Sequence, residues 1–112
     1  MSGLSTHVLD LATGQPARGV AVKLERAHGD GFVRVSEHST NDDGRVSSLL
    51  GSDGLQAATY RLTFAIGAYV AARGLPVFYP EAQVTFVVSD AARHHHIPLL
   101  LSPFGYSTYR GS

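Results

Sequence analysis

The chain contains no cysteine, which excludes disulfides, thiolate catalysis and structural zinc held by sulfur. It also carries no net charge, because nine Lys and Arg balance nine Asp and Glu. No long-range field gathers nucleic acid or an anionic membrane, and neither is expected as a partner. No stretch approaches the ~20 apolar residues of a membrane span, and Met1 to Asp10 lacks the basic segment and apolar core of a secretory leader. A cytoplasmic protein is expected. No internal repeat, low-complexity tract or linker divides the sequence, so residues 1–112 read as one domain.

The apolar share is 44%, enough for a real core, and its patterning has period two, as in strands with one face buried. Val20, Val22 and Leu24 share one face; Tyr60, Leu62, Phe64 and Ile66 share another; Val84, Phe86 and Val88 repeat the pattern. Thr13-Gly14-Gln15-Pro16, His28-Gly29-Asp30-Gly31 and Asn41-Asp42-Asp43-Gly44 supply turn chemistry between such segments. Their spacing suits antiparallel hairpins. Only Ala68 to Leu75 reads as a helix, with Gly74 as its stop. The fold class is all-β, with two packed sheets. Ile97-Pro98-Leu99-Leu100-Leu101 is apolar on both faces, implying a strand buried on both sides, yet proline cannot donate to a ladder and belongs at an edge or bulge.

His94, His95 and His96 invite a metal reading, but alternation leaves only His94 and His96 on one face, too few for zinc, so no metal is expected. Outward from the same strand, His96 shares an apolar strip with Pro98 and Leu100. Such a strip holds an imidazole neutral near pH 7, ready to accept a proton. His7 shares a face with Leu9 in the same manner, and the two strips could face one cleft. Arg45 follows the Asn41 to Gly44 turn and is expected to be exposed. The C-terminal Tyr106 to Ser112 carries two tyrosines and an arginine to its end, where chains are ordinarily frayed and polar, which suggests an ordered tail.

Leu4-Ser5-Thr6-His7-Val8-Leu9-Asp10, His96-Ile97-Pro98-Leu99-Leu100-Leu101-Ser102-Pro103 and Tyr109-Arg110-Gly111-Ser112 together resemble the 5-hydroxyisourate hydrolase family, the enzymatic relatives of transthyretin. Gly14-Gln15-Pro16-Ala17, Gly44-Arg45, Tyr60-Arg61-Leu62-Thr63-Phe64 and Phe78-Tyr79-Pro80 fall in the family's order between them. The resemblance implies a transthyretin-like sandwich of about eight strands with a short helix, assembled as a homotetramer, a dimer of dimers with clefts between subunits. It implies a local break in the ladder at Pro98, which the family places inside a sheet. The implied reaction is hydrolytic opening of the 5-hydroxyisourate ring during urate degradation, with no cofactor. Carried over by position, His7, Arg45, His96 and Ser112 are the implied catalytic residues. His7, Arg45, Tyr109, Arg110 and Gly111 are the implied substrate contacts.

Without metal or cysteine, water is the nucleophile, a neutral histidine must take its proton, and a cation must meet the charge growing on the attacked oxygen. His7 and His96 fit the first task and Arg45 the second; which histidine is the base stays open. The α-carboxylate of Ser112 is expected to hold Arg110 or a histidine in place. The rival reading is a carrier that binds an aromatic ligand without chemistry. Leu9 and Leu100 suit a carrier, whereas His7, His96 and Arg45 make the pocket costly for an apolar ring. An oligomer without any site is the third reading, and the ordered tail argues against it.

Overall fold

The computed structural model describes residues 3–111, so the expected role of Ser112 lies outside the described residues. Among these residues the chain runs β1 (Gly3–Asp10), β2 (Gln15–Pro16), β3 (Ala21–His28), β4 (Gly31–Ser39), β5 (Arg45–Val46), β6 (Ala58–Phe64), α1 (Ile66–Ala72), β7 (Ala82–Val88), β8 (His94–Ser102) and β9 (Gly105–Thr108). One sheet has the order β2-β1-β8-β9, with β5 also paired to β1; the other has the order β4-β3-β6-β7. The all-β sandwich with one short helix is as expected. The nine strands exceed the expected eight because the two-residue β2 and β5 share one edge of β1, at Leu9 and Asp10 and at Thr6 and His7 respectively.

Period-two patterning places the core between the sheets. Leu4, Val8, Ile97, Leu99 and Leu101 face inward from one sheet, and Val22, Leu24, Tyr60, Leu62, Phe64, Val84 and Val88 from the other. Leu49, Leu50 and Leu55 join them from the β5–β6 connection. Each large apolar side chain removed from water contributes about 1.5–3 kcal/mol, so this interface dominates the stabilisation. Thr6, the polar member of the inward face of β1, is buried, and its hydroxyl donates to the Ile97 carbonyl at 2.6 Å.

Hairpins do join β3 to β4 and β8 to β9, but the expectation of antiparallel pairing fails at the centre of the first sheet. There β1 runs parallel to β8 along its whole length, from Gly3 opposite His94 to Asp10 opposite Leu101. A parallel pair needs a long crossover, and here most of the chain supplies it. Turn signals between neighbouring segments say nothing of such a pairing.

Pro98 lies inside this sheet, between β1 and β9, and the ladder to β9 breaks there. Pairing runs from Ser102 opposite Gly105 to Leu99 opposite Thr108, then lapses and resumes in the same register at His96 opposite Gly111. The Pro98 carbonyl accepts the Thr108 hydroxyl at 2.6 Å. In a strand the nitrogen and carbonyl of one residue face the same neighbour, so the missing N–H falls in the gap. The expected break is therefore on the β9 side, while the β1 side continues unbroken.

The helix begins earlier than the reading of Ala68 to Leu75, spanning Ile66–Ala72. Ile66 prolongs the alternation of β6 and stays buried at 1% exposure, but the backbone has already left the sheet. The Gly67 N–H donates to the Pro80 carbonyl at 2.9 Å, and a Cβ on Gly67 would lie 2.7 Å from that oxygen. Glycine thus permits the close approach that turns strand into helix. Gly74, at φ 74°, ends it as expected, its N–H returning to the Ala71 carbonyl. Among the described residues no helix is long and apolar enough to cross a membrane.

Candidate active site

Parallel pairing of β1 with β8 brings the two histidine strips together. Ser5 lies opposite His96 and His7 opposite Pro98, and on the other side of β1 His7 lies opposite Arg45 of β5. Since Leu4, Thr6 and Val8 point into the core, Ser5, His7 and Leu9 point out. The same rule turns His94, His96, Pro98 and Leu100 outward from β8. The result is a cleft of about 470 Å³ lined by Ser5, Thr6, Arg45, Val46, Ser47, His94 and His96; His7, opposite Arg45 on β1, is not among the lining residues.

Arg45 is exposed, as expected, and its backbone is tied down by the preceding turn. The Asn41 side-chain oxygen accepts from the N–H groups of Asp43 and Arg45 at 2.9 and 3.0 Å, and the Asn41 N–H donates to the Arg45 carbonyl at 2.9 Å. Gly44, at φ 72°, lies so close to β1 that a Cβ would sit 2.5 Å from the Val8 carbonyl oxygen. That oxygen accepts from Ala17, and the Val8 N–H donates to Gly44. A residue with a side chain could not occupy Gly44 without shifting the turn that presents Arg45.

The His96 ring is held on two sides. Its Nδ1 lies 2.8 Å from Ser5 Oγ, and Gly111 packs against its Cδ2 edge, where a Cβ would approach to 2.6 Å. The Gly111 N–H donates to the His96 carbonyl at 2.8 Å. Ser5 Oγ also lies 2.8 Å from His94 Nε2. With Nδ1 at Ser5, Nε2 is the other ring nitrogen of a histidine that lines the cleft.

Burial, and then the Arg45 guanidinium, hold His96 below the ordinary imidazole pKa, with smaller contributions from His7 and His94. His7 is lowered by the same two leading causes, against an opposing hydrogen bond and charge from Asp43. Both shifts favour the neutral imidazole, next to a fixed cation. Neutral imidazoles accept protons, and a guanidinium beside them meets negative charge; together they can deprotonate water and stabilise an oxyanion.

Among the described residues of the tail, only Gly111 touches His96 within one chain. Tyr109 is 57% exposed, and with Arg110 it lines a different depression, against Val84, Thr85 and Phe86 of β7. The sequence reading assigned no role to Ser5 or His94. The signal was available, because each lies two residues before a chosen histidine and so shares its outward face.

Comparison with known proteins gives the family of the fold. The model of the HIUase/Transthyretin family matches residues 4–111. The chain is 48% identical to the 5-hydroxyisourate hydrolase of Caulobacter vibrioides, over the whole of both chains. The solved structure of Klebsiella pneumoniae 5-hydroxyisourate hydrolase is similar with a TM-score of 0.87 at 41% identity, again over the whole of both chains. Sea bream transthyretin in complex with thyroxine reaches a TM-score of 0.91 at 32% identity, covering 97% of this chain and 94% of the other. Two sheets of matching topology and similarity along the whole chain place this protein in the HIUase/transthyretin family.

Proposed function

We propose that the protein is a 5-hydroxyisourate hydrolase, opening the ring of 5-hydroxyisourate with water on the path of urate breakdown. One observation carries the choice over a carrier in the same family: the outward face of β1 and β8 presents His7 and His96 beside Arg45. Placing a large apolar ligand there would strand an arginine and two imidazoles without partners, whereas a small polar heterocycle can satisfy them.

In this reading His96, through Nε2, takes the proton of a cleft water that attacks a ring carbonyl. Arg45 faces the oxyanion, and the leaving ring nitrogen recovers a proton from the imidazolium as the C–N bond breaks. His7 orients the water or the ring from the other side of β1. Tyr109 and Arg110 meet substrate only in an assembly, because within one chain they lie at the β7 edge. Ser112 has the task of holding Arg110 or a histidine in place, and no cofactor is invoked.

The homotetramer, a dimer of dimers, is supported by the unpaired outer edges of β7 and β9 and by Phe78, Val87 and Phe104, each more than 60% exposed. Exposed edges and apolar patches are ordinarily covered. A cytoplasmic enzyme of one domain, needing no disulfide, fits the absence of cysteine. The test follows the absorbance of freshly generated 5-hydroxyisourate with and without protein, spontaneous decay giving the blank. Decay at the blank rate overturns the reading.

A further inference from the structure

The Ser5 hydroxyl stands 2.8 Å from two imidazole nitrogens, Nε2 of His94 and Nδ1 of His96. It has one proton. It can therefore donate to at most one of them, so if it donates to either ring it must accept from the other, and the tautomers of the two histidines are then coupled. In one arrangement Nδ1–H of His96 donates to Ser5, Ser5 donates to Nε2 of His94, and Nε2 of His96 keeps its lone pair. In the other every bond is reversed, and Nε2 of His96 carries the hydrogen. Of the two arrangements in which Ser5 donates to a ring, only the first leaves His96 a base toward the cleft.

We propose that His94 is a positioning residue for hydrolysis: by accepting the Ser5 proton at Nε2 it obliges Ser5 to accept from Nδ1–H of His96, leaving Nε2 of His96 bare. The inference rests on the reading of His96 as the base. Two features of the site favour this arrangement. The titratable side chains around His96 are Arg45 from β5, His7 from β1 and His94 from β8. Of these the fixed cation Arg45 lines the cleft, and a positive charge there favours a lone pair over an N–H on the nitrogen that faces it. In addition, His94 is exposed, so its Nδ1 can hold a proton in contact with water without desolvation. Gly3 seats that ring across β1, since a Cβ at Gly3 would come within 3.0 Å of His94 Nδ1.

The experiment compares a side chain at position 94 that can accept with one that can only donate. His94→Gln offers its carbonyl oxygen to Ser5, and His94→Lys offers only N–H groups. Nitrogen NMR of histidine-labelled protein without substrate should show His96 protonated at Nδ1 in the parent and in His94→Gln, and at Nε2 in His94→Lys. Turnover should follow, with kcat of His94→Lys at least about tenfold lower at similar KM and His94→Gln close to the parent. In a Ser5→Ala background the Gln and Lys variants should no longer differ. An unchanged His96 tautomer in His94→Lys, or equal kcat for the Gln and Lys variants, overturns the proposal. A tautomer that responds as expected in a protein without hydrolysis would instead sink the assigned reaction and leave the coupling intact. Circular dichroism checks the fold of each variant, and the exposure of His94 keeps these changes out of the core.

Discussion

Gly111 and His96 are joined twice, by the hydrogen bond from the Gly111 N–H to the His96 carbonyl at 2.8 Å and by contact of the glycine with the imidazole edge. No room remains for a side chain. Gly111→Ala would put its Cβ 2.6 Å from Cδ2 of the ring, so the ring must turn away from Ser5. The expected result is a loss of about tenfold or more in kcat, with a melting temperature close to that of the parent. Parent-like kcat would show that the ring position is set elsewhere.

Removing Tyr109 to Ser112 should leave the sandwich folded, because β9 ends at Thr108 and Tyr109 and Arg110 are exposed. Most turnover should be lost. Far-UV circular dichroism and the 5-hydroxyisourate decay assay check the two halves of this prediction, and parent-rate turnover would strip the tail of its assigned role.

His96→Asn and His7→Asn should each lower kcat by about 10² or more, the lower bound of general-base assistance. The parent should lose activity as pH falls through a value below the ordinary imidazole pKa, since both rings are lowered and only the neutral form accepts a proton. Profiles of kcat/KM against pH decide between the rings. The acidic limb should vanish in His96→Asn, and a limb that survives there would transfer the base role to His7.

Arg45 offers a test with two directions. Arg45→Gln removes a charge that depresses both histidines, so the acidic limb should move to higher pH while kcat/KM falls. Arg45→Lys keeps the charge and hence the limb, but loses the planar fork that meets two oxygens, so its defect should lie mainly in KM. A limb that stays in place in Arg45→Gln would mean that the guanidinium does not act on the base.

Light scattering at micromolar concentration should give a tetramer mass. Phe104→Glu, placing a charge within the exposed cluster that Phe104 makes with Phe78 at 6.0 Å between rings, should shift the mass downward. A parent monomer would defeat the shared cleft and leave Tyr109 and Arg110 without a substrate to touch.

Much of this architecture was legible in the chain because it depends on local rules. Alternation found the inward faces of β3, β6 and β7, and the Asn41 to Gly44 turn marked where Arg45 would emerge. It also turned His7 and His96 outward. Alternation misassigned Ile66, because a buried residue keeps the same inward direction whether the backbone continues as strand or begins a helix against Pro80. The parallel pairing of β1 with β8 was invisible for another reason: register between distant strands is set by the shared core and not by neighbouring residues. Without it, the sequence could place Ser5 and His94 on outward faces but could not bring them to one hydroxyl.

The sequence separation within the site also has a consequence for how the protein is made. Ser5 and His96 are 91 residues apart, so the cleft cannot exist on a ribosome-bound chain until β8 has emerged. Until then β1 has an unpaired edge on that side, a template for wrong partners during synthesis. Distant pairing of this kind slows folding through loop-closure entropy. Any product of premature termination before His94 lacks both histidines of the cleft lining, so catalytic competence itself reports that synthesis has passed β8.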